Sequence, residues 1–279
     1  MSPARIEQAR ARLVAIARDP TCDIAEGALW LAAEDYPELA VDAYLERIDQ
    51  FADLVGNALA GDQAWEVGAQ HSAMVSCLFA EDALRGDSGN YDDPRNSFLN
   101  EVLDRQLGMP ITLAIVYLAV GRRLGFPVHG VNAPGHFLVR HGDLLVDPFS
   151  RGETITPEVQ YERLKRVGVP DPAATLAELL ARPPDNHVIL CRVLMNLKAS
   201  SLRRGDHRRA LGAVDRLVAL KPDDLRELRD RGALLQRLDC PAAAIRDLES
   251  YLERVTNDPD EEKIRDLITR MRASSASLH

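Results

Sequence analysis

Along the first ninety residues the apolar side chains recur every three or four positions. In DIAEGALWLAAEDYPE (23–38), Ile24, Ala28, Leu31 and Ala32 share one helical face, and Asp23 stands where a helix cap belongs. After Pro37, ELAVDAYLERIDQFADLVGNALAG aligns Val41, Tyr44, Leu45, Ile48, Phe51 and Leu54 or Val55, with Gly56 or Gly61 as its stop. AWEVGAQHSAMVSCLFAEDALRG predicts a third helix ending at Gly86, with His71 at its surface and Cys77 in the core. The periodicity vanishes in DSGNYDDPRNS (87–97), a cluster of turn formers. It returns in the short helix FLNEVLDRQLG and in ITLAIVYLAVGRRLG, which Pro110 opens. That last helix is apolar nearly all round, so it belongs at the centre of a core.

The period then shortens to two. FPVHGV, HFLVR and DLLVDPF read as strands separated by the turns NAPG and HG. A two-residue hairpin at His141-Gly142 would pair Arg140 with Asp143 and bring His136 opposite Asp147. Directly opposed side chains lie roughly 5 Å apart at Cβ, so this imidazole and carboxylate can hydrogen-bond. His129 and His141 flank turns and are expected to face solvent. TPEVQYERLKRVG and ATLAELLARPPD follow as a short helical pair ending at Pro183-Pro184.

The tail repeats itself at a step of 34. Ala210, Leu211, Val214 and Leu217 match Ala244, Ile245, Leu248 and Tyr251, and Pro222 and Pro259 close the two units. Upstream, Leu194, Leu197 and Lys198 match Leu228, Arg231 and Gly232 less well. Thirty-four is the period of the tetratricopeptide repeat, so two degenerate repeats and a final helix, DEEKIRDLITRMR, are expected.

Charge divides the chain. Residues 1–100 hold 7 basic and 18 acidic side chains, whereas residues 181–240 hold 13 and 8 in a chain of net charge −9. The acidic balance makes nucleic acid an improbable partner for the whole protein. A basic segment, LRRGDHRRAL, offers Arg203, Arg204, Arg208 and Arg209 in and after the turn between the first repeat's helices. It is either a solvated loop or a docking patch for an acidic segment, and it lacks the aromatic partners of a base-stacking surface. No apolar run approaches the roughly 20 residues of a membrane helix, and a signal peptide is not expected from MSPARIEQARARLVAIARDP. Cys22, Cys77, Cys191 and Cys240 lie far apart without zinc or disulfide spacing, which points to the cytoplasm. No phosphate loop, HExxH or ligand cluster occurs, so no metal and no cofactor are expected.

YDDPRNSFLNEVLDRQLGMPITL, GVNAPGHFLVR and LLVDPFSRG together resemble the core of the transglutaminase-like superfamily, and with the repeats they resemble the bacterial transglutaminase-like and tetratricopeptide proteins. The resemblance implies a papain-like α+β core in which a cysteine at a helix head is activated by a histidine that an aspartate orients. His136 matches the base and Asp147 the orienting carboxylate. The nucleophile does not match, because residues 108–112 offer only Thr112, a poor acyl-transfer nucleophile. Its hydroxyl either bonds the backbone or His136, or acts as a weak nucleophile; delivery of Cys77 from another helix is the remaining route to a thiol. Asn96, Asn100 and Asn132 stand within the matching motifs and could line a pocket.

These readings give an α+β chain in three parts: a helical region at 1–90, a transglutaminase-like core at 91–182 and repeats at 186–279. Two functions are expected to compete. One is a non-catalytic protein or peptide binder, with an acidic partner on the tail and a remnant His136–Asp147 pair. The other is an amide-bond hydrolase or acyltransferase using His136 and Asp147 with Thr112 or water.

Overall fold

The computed structural model describes residues 3–59 and 66–276. The stop expected at Gly61, and the start expected for the third helix at 64–65, lie outside the described residues. The chain forms two compact units, Met1–Val193 and Leu194–His279.

The first unit opens with four helices: α1 (Pro3–Arg18), α2 (Ile24–Ala33), α3 (Val41–Ala58) and α4 (Val67–Leu78). Asp23 caps α2 by accepting the Ala25 N–H at 2.8 Å. On α3, Val41, Ile48 and Val55 are buried as the stripe predicts, while Leu54 is exposed. The third helix stops at Leu78, eight residues before Gly86. Arg85–Gly86 instead forms β1, paired in parallel with β2 (Leu107–Gly108). Between them lie a 3-10 turn (Pro94–Ser97) and α5 (Leu99–Arg105), which closes on Gln106 in the left-handed region. The central helix α6 (Pro110–Arg123) is buried from Pro110 to Gly121. It is the apolar axis on which α2, α3, α4, α5 and the first two strands that follow it pack.

A four-stranded antiparallel meander follows in the order β3 (Val128–Val131), β4 (Leu138–His141), β5 (Leu144–Asp147) and β6 (Glu153–Ile155). The strand β6 is too short to carry a legible alternation. The β4–β5 register pairs Val139 with Val146, Arg140 with Leu145 and His141 with Leu144. The turn is therefore Gly142-Asp143, one residue later than expected, and the pairing is displaced by two. Gly142 takes a φ of +56°, which suits glycine at the first turn position. Helices α7 (Pro157–Arg166) and α8 (Pro172–Ala181) complete the α+β part.

Helix α9 (Asn186–Arg203) crosses from one unit to the other. Its first turns belong to the first unit, where Asn186 donates to the carbonyls of Asp19 and Cys22 at 3.2 and 2.9 Å. The proline pair at 183–184 precedes α9, whereas the change of unit falls inside it. The second unit continues with α10 (His207–Leu220), α11 (Leu225–Arg237), α12 (Pro241–Arg254) and α13 (Glu261–Ala276). The residues matched at a step of 34 are its core: Ala210, Val214 and Leu217 on α10, and Ala244, Leu248 and Tyr251 on α12, are all buried. Ala210 and Ala244 are small because neighbouring helices pack closely there.

Candidate functional site

The expected contact is present. His136 Nε2 lies 2.8 Å from Asp147 Oδ1. The strand register that predicted it is not the one observed, and His136 lies in the turn before β4 rather than in a strand. Continued by one position, the observed register sets Leu138 opposite Asp147, which makes His136 its diagonal neighbour. A displacement by two keeps every side chain on its own face, so the imidazole still reaches the carboxylate.

Asp147 is fully buried at the end of β5. Its Oδ1 also accepts the N–H groups of Phe149 and Ser150 at 3.2 and 3.3 Å. Its Oδ2 accepts Arg163 Nη1 from α7 at 3.0 Å and the Ser150 hydroxyl at 3.3 Å. Burial pushes this carboxyl up, but the bonds from His136 and Arg163 outweigh it and hold the group below the ordinary carboxylate range. The carboxylate is thus ionised and shared between an imidazole and a guanidinium. Its bond to Nε2 leaves Nδ1 as the ring nitrogen that can meet a ligand. The Phe149 ring stands edge-on to His136 at 6.2 Å, and the half-exposed Tyr91 ring stands edge-on to Phe149 at 5.8 Å. Gly86 makes this wall possible, because a Cβ there would come within 2.6 Å of the Phe149 ring.

Thr112 occupies the third position of α6 and is fully buried. Its hydroxyl accepts the Met109 N–H at 3.1 Å and lies 2.8 Å from the Asn96 carbonyl, to which it donates. It is a helix cap engaged with backbone, and among the described residues it makes no hydrogen bond to His136. Cys77 is half-buried, with its Sγ 4.0 Å from the neighbouring Ser76 hydroxyl, and no described contact brings it to His136.

The asparagines divide. Asn96 is fully buried and ties its loop together, donating to Asp87 at 3.1 Å and to the Asn90 carbonyl at 3.0 Å while accepting from Arg105 at 3.2 Å. Asn100 is buried on α5, and its Oδ1 has no hydrogen-bond partner among the described residues. Asn132 precedes the turn that carries His136, and its Oδ1 accepts Arg192 Nη1 from α9 at 3.1 Å. Sequence reasoning missed Arg163, Arg192, Tyr91 and Phe149. The two arginines arrive from helices distant in sequence, with no local spacing to signal them.

His141 corrects an expectation. It is fully buried, with Nδ1 2.8 Å from the Tyr117 hydroxyl and Nε2 3.1 Å from Gln70 Oε1. His71 joins the same group, 3.1 Å from the Tyr117 hydroxyl, so it is not a plain surface residue. Burial, with His71 nearby, pushes the His141 imidazole down to about 4. His129 is exposed as expected.

In the second unit Arg203 ends α9, Arg204 lies in the turn, and Arg208 and Arg209 open α10. The first three are exposed, and Arg209 is half-buried beside Asp206 at 3.2 Å. Among the described residues no group of three or more His, Cys, Asp or Glu side chains could hold a metal ion, and no helix is long and apolar enough to cross a membrane.

A buried helix against a four-stranded meander, followed by paired helices at a step of 34, defines the class: a transglutaminase-like core with tetratricopeptide repeats. Comparison with known families agrees. Residues 42–195 match the transglutaminase-like superfamily and residues 197–269 the tetratricopeptide repeat, and the chain belongs to the former. It is 35% identical to a UPF0162 protein of Xylella fastidiosa strain Temecula1 over 242 residues, covering 84% of this chain and 85% of that one. It is 32% identical to a UPF0162 protein of Vibrio cholerae over 92% of this chain and 96% of the relative. It is 27% identical to Protein SirB1 of Salmonella typhimurium over 93% and 96%. No solved structure matches.

Proposed function

We propose that this chain is a transglutaminase-like protein that binds peptides without cutting them, with one binding face at His136 and a second on its repeats. The observation that carries this reading is the head of α6. Where the superfamily places its thiol, this chain has a buried threonine whose hydroxyl is held by Met109 and Asn96. A hydroxyl so committed cannot attack an acyl carbon without breaking those bonds, and among the described residues no side-chain base hydrogen-bonds to it. His136 and Asp147 remain as an oriented pair, able to hold a ligand's polar group through Nδ1. The repeats supply the stacked helices that such arrays commonly offer to peptides. Four cysteines outside any disulfide suit a cytoplasmic protein.

The test uses immobilised full-length protein and a peptide digest of bacterial cytosol. Retained peptides should be recovered uncut and unmodified, and His136→Ala should lower retention. Thr112→Val should lose stability, about 1–3 kcal/mol for the stranded backbone groups, and keep retention. Cleavage or deamidation that disappears in His136→Ala would establish the hydrolase reading instead.

A further inference from the structure

Arg192 stands out on the His136 face because of what it lacks. It is half-buried at the shoulder of the turn that carries His136, and its described acceptors are both neutral: Asn132 Oδ1 at 3.1 Å and the Ala133 carbonyl at 3.5 Å. Arg163, the other arginine at the His136 site, meets Asp147 at 3.0 Å, and half-buried Arg123 meets Asp23 at 2.6 Å, whereas half-buried Arg140, like Arg192, has a neutral acceptor, the Leu180 carbonyl at 2.9 Å. Arg192 has no carboxylate in any described ion pair. A guanidinium withdrawn from water without a counter-charge is costly, and a long side chain of this kind ordinarily swings its head outward.

Its position links it to the site. The Ala133 carbonyl that it touches also accepts the His136 N–H at 3.2 Å. Guanidinium and imidazole are therefore braced by one turn. On the other side of His136, the Phe149 ring that stands edge-on to the imidazole also stands edge-on to Tyr91, a residue 42% exposed. A cation short of an anion, an exposed ring and an oriented imidazole thus surround one face.

We propose that Arg192 is the anion-binding point of this face, and that the ligand taken there is a peptide presenting a carboxylate to Arg192 with an apolar or aromatic side chain against Tyr91. This rests on the reading of the His136 face as a binding site. Guanidinium has five donors in a planar fork that matches a carboxylate, and Asn132 and Ala133 engage only two of its nitrogens. One cation with neutral neighbours suits a monoanion better than a phosphate dianion. The carboxylate can come from a peptide's C-terminus or from an aspartate or glutamate side chain.

The experiment follows the histidine ring signals of the full-length protein by NMR, with His136 assigned through His136→Gln. Three probes are titrated: N-acetyl-phenylalanine, N-acetyl-glutamyl-phenylalaninamide and the uncharged N-acetyl-phenylalaninamide. At least one acidic probe should shift the His136 ring and bind at least tenfold tighter than the neutral one, and the acidic probe that binds identifies the source of the carboxylate. Arg192→Gln should abolish that preference and leave the neutral probe unchanged. Arg192→Lys, which keeps the charge and loses the fork, should fall between, and it serves if the glutamine variant does not fold. Equal binding of acidic and neutral probes, or an unchanged preference in both variants, overturns the role of Arg192 while His136 remains a binding face. Displacement of the acidic probe by equimolar inorganic phosphate reduces the site to a general anion hole and overturns peptide recognition. A His136 ring that no probe moves overturns the binding reading of the face itself.

Discussion

At the scale of single residues, neighbours in space decide what a histidine does, and this chain holds two histidines on the same hairpin with opposite fates. His136 keeps an open nitrogen beside Asp147, whereas His141 is enclosed by Tyr117, Gln70, His71 and the stacked ring of Phe126 at 5.6 Å. Nothing in HFLVRHGD distinguishes them, because burial of His141 depends on the turn falling one residue later and on α4 and α6 packing over it. The enclosure has a measurable consequence. In the unfolded chain this imidazole takes a proton near its ordinary value of 6.5, but in the folded protein only near about 4. Between those values the unfolded state binds more protons, so stability is full above pH 6.5 and falls as the pH drops toward 4. The loss is on the order of 3 kcal/mol, and His71, also held low by burial, adds in the same direction. Urea unfolding from pH 7 to pH 4 should show this slope, and His141→Gln should flatten it. An identical slope in the variant would mean that other groups set the acid limit.

At the scale of elements, local signals were legible and non-local ones were not. Asp23 before α2, Pro110 at the head of α6 and the apolar circumference of α6 each declare an element within a few residues. The pairing of β1 with β2 joins residues more than twenty apart through two-residue strands, which leave no periodicity to read. The third helix was accordingly expected to run on to Gly86. That glycine instead supports the site: the Phe149 ring rests where its Cβ would be, and Phe149 in turn stands against His136 and Tyr91. The likeness of His136 and Asp147 to the superfamily pair was readable, but the Arg163 bond that shares the carboxylate was not. Gly86→Ala is expected to cost about 1–3 kcal/mol by overpacking, since ring atoms at 2.6 Å must move. Melting would measure that cost, and the NMR signal of the His136 ring would report the displaced Phe149. A variant as stable as the parent with an unmoved His136 signal would show that the Phe149 wall yields freely.

At the scale of the molecule, charge is spread unevenly along the chain. The first hundred residues are strongly acidic, and residues 181–240 carry five more basic than acidic side chains. Much of that basic charge is internally engaged: Lys198 holds Glu227 at 2.7 Å, and Arg231 holds Asp247 at 2.6 Å. Such pairs organise the helices and are poor candidates for a partner. Arg203, Arg204 and Arg208 are exposed around the α9–α10 turn, with half-buried Arg209 beside them, and it is by this exposure that the reading proposed above takes these four as the patch an acidic peptide would meet. Reversing all four to glutamate should weaken capture of an acidic peptide at least tenfold, and the loss should shrink as salt rises toward 0.5 M, where screening reaches a few ångströms. The fold should survive, because surface substitutions of this kind usually change stability little, although removing the Arg209–Asp206 pair costs a few tenths of a kcal/mol. Calorimetry on the full chain, with melting as the control for folding, would read both effects. Because Arg192 and His136 are left intact, any capture that persists unchanged in the variant and is insensitive to salt would assign the acidic ligand to the His136 face and leave the α9–α10 turn as solvated surface.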